Sequence, residues 1–165
     1  MKKITTILAI STILVFAACK PESIKNYQAY SGYSLDAFQG QWKLTKATQT
    51  DEDSKSKLFP YKTLDLTTFL NLTDIALNLN LASAVPATFT TAYGNAPKIF
   101  KLTTGNWKLD DNNKPGKLWL INGTDTTKFT IGSYNQLVNK KLVLKQVKYL
   151  GTTAVITYEY EFSKN

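Results

Sequence analysis

The side chains in this 165-residue chain that could do acid–base chemistry are carboxylates, because the chain contains no histidine. Glu159 and Glu161 share one face of the final predicted strand, about 7 Å apart by strand geometry, a spacing at which two carboxylates can cooperate in glycoside hydrolysis. Asp51-Glu52-Asp53 and Asp110-Asp111 form two further acidic clusters. Strand alternation explains the two glutamates, and solvated loops and turns explain the aspartates. The sequence therefore favours a protein that is not an enzyme.

Other patterns of catalytic and metal-binding residues are missing from the sequence. Without histidine there can be no histidine-based triad and no histidine-containing metal site. No Gly-x-Ser-x-Gly elbow or glycine-rich phosphate loop occurs. Composition permits a serine–lysine pair, but Ser54-Lys55-Ser56-Lys57 lies in a charged loop that is predicted to be solvated. The three acids at 51–53 do not supply the six or more oxygens that calcium requires. We expect neither a metal nor another cofactor.

Cys19, the only cysteine, follows a segment typical of a bacterial export signal. Lys2 and Lys3 give a positive start, residues 4–16 are mostly apolar, and Ala17-Ala18 places two small residues before the cysteine. The pattern resembles a lipobox, which implies that the signal is removed and the new terminal cysteine is acylated. A transmembrane anchor, or a signal with an incidental cysteine, is the alternative. The apolar stretch is shorter than the roughly 20 residues that span a bilayer, which favours the lipoprotein interpretation.

This interpretation divides the chain into three parts. Residues 1–18 are the signal peptide, residues 19–35 are the acylated cysteine and a flexible tether, and residues 36–165 are the folded domain. We expect export and lipid anchoring to the cell envelope through Cys19. Lys20 stands where Asp usually marks retention at the inner membrane, so we expect the outer membrane. The sequence does not decide between its periplasmic face and its surface face.

The chain has a net charge of +8, and all of its basic residues are lysines. A basic balance invites a nucleic-acid hypothesis. However, the lysines are scattered singly, and there is no arginine to make bidentate contacts with guanine. We therefore expect no nucleic-acid partner and interpret the charge as a solubilising surface.

Apolar and polar residues alternate along most of residues 36–165, the pattern of half-buried strands. The final segment shows it best, with one face formed by Ala154, Ile156, Tyr158, Tyr160 and Phe162. Gly, Asn, Asp and Pro clusters separate about eight such segments. The fold class is therefore all-β with at most one short helix, as an up-and-down antiparallel barrel or a sandwich.

Aromatic side chains are the candidate contacts for a ligand or partner. Trp42 and Trp107 lie in two similar runs, Gly40–Leu44 and Gly105–Leu109, each of which can begin a strand at a glycine bend and bury its indole. Trp119 lies on the strand face opposite Leu118 and Leu120. If that face is exposed, Trp119 is a contact surface. Tyr158 and Tyr160 are the candidates on the last strand.

The run Gly40-Gln41-Trp42-Lys43-Leu44, after a lipobox and a tether, resembles the opening strand of uncharacterised lipocalin-like bacterial lipoproteins. The resemblance implies an eight-stranded barrel whose floor is closed by Trp42. Lipocalins place an arginine over that tryptophan. This chain has no arginine, and Lys145 or Lys148 is the expected substitute.

From these observations we expect a membrane-anchored, non-catalytic binding lipoprotein that holds a small apolar or amphipathic molecule or a glycan. The alternative is an interaction protein whose barrel is filled by its own side chains and which docks to an envelope partner. An internal apolar cavity of about 300 Å³ or more would favour the first hypothesis.

Replacing the acylated residue tests the anchoring hypothesis. We expect Cys19→Ser to move the protein from the membrane fraction to the soluble fraction, because the thioether to the lipid can no longer form. Metabolic labelling with a fatty-acid analogue should be lost in the same variant. Labelling equal to that of the unaltered chain would end the lipoprotein interpretation.

Overall fold

The structure is a computed structural model that describes residues 34–60 and 62–164, with only the backbone described for Tyr134 and Asn135. The predicted signal peptide, Cys19 and all but the last residues of the predicted tether lie outside the described residues. The account of the fold therefore begins at Ser34, just before the predicted barrel domain.

Nine strands and two short helices make up the described chain. The strands are β1 (Gly40–Asp51), β2 (Thr63–Asp65), β3 (Ala76–Ala82), β4 (Val85–Ala92), β5 (Thr104–Leu109), β6 (Lys117–Asn122), β7 (Asp125–Ile131), β8 (Lys141–Leu150) and β9 (Thr153–Lys164). The helices are α1 (Glu52–Ser56) and α2 (Tyr134–Val138), and 3-10 turns occupy Leu35–Ala37 and Leu72–Asp74. The predicted all-β class is confirmed, with one short helix more than expected.

Asp51 begins α1 because its side chain accepts hydrogen bonds from the amides of Asp53 and Ser54, at 3.0 Å each.

Eight of the strands close into an antiparallel barrel. Strands β3 to β9 pair in chain order, and β1 completes the ring by pairing with β3 on one edge and β9 on the other. The extra strand β2 pairs with the last part of β1, at residues 48–50, whereas β3 pairs with its first part, at residues 40–43. The expected up-and-down barrel is therefore confirmed. The barrel has a closed end, where β1 begins and β9 finishes, and an open end, where β1 finishes and β9 begins.

Aromatic side chains fill the closed end. The turn before β1 inserts Phe38, which is completely buried and lies 6.0 Å from the Trp107 ring, measured between ring centroids. The Trp42 indole is also completely buried, and its Nε1 donates to the Phe38 carbonyl oxygen at 2.7 Å. A buried indole needs such an acceptor because an unpaired N–H would cost free energy. Trp42 thus lies at the floor, as the resemblance implied.

The two similar glycine–tryptophan runs have the same local geometry. Gly40 and Gly105 both have positive φ angles, +118° and +146°, a region that side chains with a Cβ rarely adopt. Trp107 Nε1 donates to the Asn80 carbonyl oxygen at 2.7 Å, at a register shift between Leu79 and Leu81. The irregularity in β3 therefore supplies the acceptor that the second indole requires.

The cation over Trp42 is Lys164, so the expectation of Lys145 or Lys148 is wrong. Lys164 Nζ lies 5.5 Å from the centroid of the Trp42 ring, because Trp42 and Lys164 are paired across β1 and β9. Lys145 instead forms an ion pair with Glu159 at 2.5 Å, and Lys148 lies near the open end. The role of Lys164 depends on strand closure between the two ends of the domain, which a local pattern does not show.

A Gly105→Ala substitution tests the close approach of β5 to β6. The new Cβ would overlap the backbone carbonyl oxygen of Ile121, which cannot move without breaking the ladder. We expect a loss of at least about 3 kcal/mol in the free energy of unfolding, measured by urea denaturation.

Gly123→Ala is the matched control for this substitution. Gly123 also has a positive φ, +57°, but a Cβ there would meet nothing within 4 Å. We expect a loss of only about 1 kcal/mol from its left-handed backbone. Equal losses in the two variants would contradict the close approach at Gly105.

Candidate binding cavity at the open end of the barrel

The residues between β2 and β3 fold into the barrel and form one wall of its open end. The Leu66 amide donates to the Ala47 carbonyl oxygen at 2.8 Å, and the Leu44 amide donates to the Ile75 carbonyl oxygen at 2.9 Å. These two bonds hold both ends of the segment to β1. The residues between them turn inward, so that Leu72 is completely buried and Leu66 nearly so. β3 and β2 pair with different parts of the same edge of β1, residues 40–43 and residues 48–50. The gap between them lets this leucine-rich segment turn into the interior of the barrel.

The connection between β4 and β5 forms the second wall. Its Phe100 is buried and packs edge-on against Phe129 and Tyr160, with ring centroids 5.4 and 5.1 Å apart. The Tyr93 hydroxyl fixes this position. It donates to the Phe100 carbonyl oxygen at 3.2 Å and accepts from the Phe100 amide at 3.3 Å. A loop is thereby held over the barrel by one phenol and one buried ring.

A cavity of about 300 Å³ lies between these walls. Its lining is mostly apolar, with a polar edge, and consists of Leu66, Leu70, Leu72, Ile99, Tyr158, Tyr160, Gln49, Gln146 and Lys148. The rings of Tyr158 and Tyr160 are nearly parallel, with an interplanar angle of 9° and centroids 6.2 Å apart. A cavity of this size with an apolar wall and a few polar groups has the form of a small-molecule site.

Lys148 and the two glutamines give the cavity its polarity. Lys148 is exposed at the mouth, and none of the ion pairs among the described residues includes it. Gln49 and Gln146 add amide groups that can donate and accept. The arrangement suits a molecule whose body is apolar and whose polar end reaches Lys148.

Burial raises the pKa of Tyr160 above its usual range, and a negative charge on Tyr158 or Tyr93 would raise it further. Burial also raises the pKa of Tyr93, although the hydrogen bond to Phe100 partly offsets this. Both phenols are therefore neutral at physiological pH. Tyr160 therefore presents a neutral ring to the cavity.

The structure divides the predicted contact residues into three groups. Tyr158 and Tyr160 come together in the lining of the cavity. Trp42 and Trp107 lie in the core at the closed end, 0% and 2% exposed, with their indole N–H groups bonded to the backbone. They support the barrel and offer no surface to a partner.

Trp119, the third predicted contact, lies on the outer face of the barrel beneath two lysines. Lys108 Nζ and Lys128 Nζ lie 4.4 and 5.6 Å from its ring centroid, because Lys108, Trp119 and Lys128 are direct neighbours across β5, β6 and β7. Its Nε1 is buried and has no hydrogen-bond partner among the described atoms. The ring is half-buried rather than openly exposed, and cation–π contacts cover it.

The acidic residues have structural contacts. Glu159 pairs with Lys145 at 2.5 Å, and Glu161 with Lys46 at 3.7 Å. Asp110 accepts hydrogen bonds from the amides of Gly116 and Lys117 at 2.9 and 2.8 Å, and these backbone bonds lower its pKa against the opposing effect of burial. Among residues 34–60 and 62–164, no group of three or more acidic, histidine or cysteine side chains could hold a metal ion.

Sequence analysis missed Leu66, Leu70 and Ile99 as cavity residues, and it placed Lys148, which lines the cavity, over Trp42. The leucine-rich run at residues 64–72 was a visible signal, but it follows neither the strand nor the helix period. Its inward fold depends on where β2 and β3 pair with β1, which the local sequence does not show.

Comparison with protein-family models and with curated proteins found no match to this chain. Within the part of the chain that the structure describes, no helix is long and apolar enough to cross a membrane.

The environment of Tyr160 predicts a stability change at high pH. An unfolded tyrosine ionises near pH 10, whereas the folded Tyr160 resists ionisation, so its contribution to stability is complete below about pH 10 and is lost as the pH rises further. We expect the free energy of unfolding to fall above about pH 10, and to fall less steeply in Tyr160→Phe. Urea denaturation across this range measures it, with Tyr149→Phe, at an exposed position, as the matched control. An unchanged slope in Tyr160→Phe would contradict the assignment.

Proposed function

We propose that this chain is a lipid-anchored, lipocalin-like binding protein that holds a small amphipathic molecule in the cavity at its open end. The observation that supports this is the cavity of about 300 Å³, which reaches the size expected for a small-molecule site. Its apolar wall suits the body of such a molecule, and Lys148 suits an anionic or strongly polar end.

The direction of the barrel is consistent with anchoring through Cys19. The described chain begins at Ser34, beside the closed end, and the cavity opens at the opposite end, where β8 and β9 meet. An anchor attached before Ser34 would therefore join the domain at its closed end. The mouth of the cavity would remain free to exchange its ligand.

The filled closed end supports a second function, in which the protein docks to an envelope partner. Phe38, Trp42 and Trp107 leave the lower barrel packed by its own side chains, as small eight-stranded barrels allow. Native mass spectrometry of the full chain purified from cells separates the two functions. A bound molecule that is lost on denaturation supports the binding function, whereas a clean apo mass in repeated preparations favours docking to a partner.

Two fluorescent probes test the cavity directly. Anilinonaphthalene sulfonate is an anionic amphiphile, and N-phenyl-1-naphthylamine is a neutral one of similar shape. We expect Leu70→Trp to weaken the binding of both by about tenfold, equal to about 1.4 kcal/mol, because the indole fills the cavity. Lys148→Met should weaken only the anionic probe.

Leu64→Trp is the matched control for the filling substitution, because Leu64 is 54% exposed on β2 and does not line the cavity. It should leave the affinity for both probes unchanged. Equal weakening in both tryptophan variants, or no saturable binding to the unaltered chain, would contradict the proposed site.

A further inference from the structure

Strands β7 and β8 are not paired in the half of the barrel nearer the open end. These strands pair only at Thr130–Lys145 and Ile131–Leu144, next to a hydrogen bond from the Gly132 amide to the Val143 carbonyl oxygen at 2.8 Å. All of these contacts lie toward the closed end. We call the opening above them the β7–β8 seam.

The register shows which backbone groups face the seam. Continuing from Thr130–Lys145, the next two pairs on that edge would be Lys128–Val147 and Thr126–Tyr149, and neither is formed. Backbone groups of alternate residues in an antiparallel strand point to opposite edges. The Ile131 amide donates to Gly116 on the β6 side, so the even-numbered residues of β7 point toward β8.

The Phe100 ring lies behind the seam. It packs against Phe129 of β7 and Tyr160 of β9, and Ile99, Phe100 and Lys101 line the cavity between the parted strands, which has a volume of about 360 Å³. A second cavity of about 300 Å³ continues along the outer face. Lys128 and Val147 line both cavities, so the two form one groove along the unpaired edges.

The groove is strongly basic. Five lysines and no carboxylate line its two cavities: Lys101, Lys117, Lys128, Lys145 and Lys148. Asp125 neutralises Lys101, and Glu159 neutralises Lys145, at 2.6 and 2.5 Å. None of the ion pairs among the described residues includes the other three lysines.

We propose that the β7–β8 seam binds an extended acidic segment of a partner protein by strand addition. Unpaired amides and carbonyls on a strand edge are a template for another strand. Acidic side chains on the outward positions of that segment would meet Lys117, Lys128 and Lys145 on the outer face, and apolar ones on the inward positions would meet the region of Phe100. The groove shares Ile99, Gln146 and Lys148 with the ligand cavity, but the proposal does not require a cavity ligand, because the strand pairing uses the backbone of β7 and β8.

Amide hydrogen exchange of the full chain, followed residue by residue by NMR, tests strand addition. The probe is the blocked peptide Glu-Val-Glu-Val-Glu-Val-Glu. In the free chain we expect rapid exchange at Thr126, Lys128, Val147 and Tyr149, since no ladder protects these amides. Saturating peptide should slow the exchange of amides on at least one of the two edges by at least about tenfold.

Two control peptides separate strand addition from other contacts. A peptide with Lys in place of each Glu tests the charge, and one with every backbone nitrogen methylated keeps the side chains but removes the donors along both edges. Both should fail to protect the seam amides. Protection by either control equal to that of the acidic peptide would overturn the proposal.

Protein variants complete the test. Lys128→Glu should weaken peptide binding severalfold, whereas Lys43→Glu, at an exposed position on β1, should not. Slow exchange of the seam amides in the free chain would show that β7 and β8 are hydrogen-bonded to each other along the seam, and this would overturn the proposal. Protection of these amides by anilinonaphthalene sulfonate but not by the peptide would also overturn it, and would identify the seam as a side entrance to the ligand cavity.

Discussion

The pairing of β1 with β9 is the interaction on which the rest of this structure depends. It joins the first and last strands of the barrel from Trp42 to Asp51, and it leaves the other edge of β1 to be shared between β3 and β2. A register shift near Thr45 interrupts the ladder. There the Thr45 hydroxyl donates to the Glu161 carbonyl oxygen at 3.0 Å. Closure, the floor and the cavity wall all depend on this one twelve-residue strand.

The two ends of the barrel are built from different kinds of structure. At the closed end, the indoles of Trp42 and Trp107 from the strands and the Phe38 ring from the turn before β1 exclude solvent, and large buried aromatic rings contribute heavily to stability. At the open end, the covering residues come from connections between strands, which open at lower free-energy cost than a sheet. These connections can therefore move while the barrel strands stay paired.

Local sequence patterns predicted the strands but not their partners. The alternation along residues 156–162 is visible because the inward residues are apolar or aromatic and the residues between them are polar. The predicted face also included Ala154, but a register shift between Lys148 and Tyr149 skips Val155 and places Ala154 on the other face. Phe38 and the leucines at 66–72 carry no such period, since their burial depends on segments distant in the chain. The same reason explains the misplaced lysine. Lys164 is far from Trp42 in sequence, and only the β1–β9 closure places its ammonium group over the indole. The gap between β7 and β8 was not predicted either. It reflects missing pairs between the two strands, and the sequence of each strand alone does not reveal them.

The Trp42–Phe38 contact has a mechanical consequence. A pull through the chain preceding Ser34 would load the hydrogen bonds of the 3-10 turn at Leu35–Ala37, then the 2.7 Å hydrogen bond from the indole to the Phe38 carbonyl oxygen and the packing of the buried phenyl ring. Beyond that point the load would pass to the start of β1. The ladder bonds there, to β3 on one edge and to β9 on the other, lie perpendicular to the strand. Bonds loaded in this way share the force and break together, whereas bonds at a strand end peel one at a time. The start of β1 would therefore resist such a pull in shear.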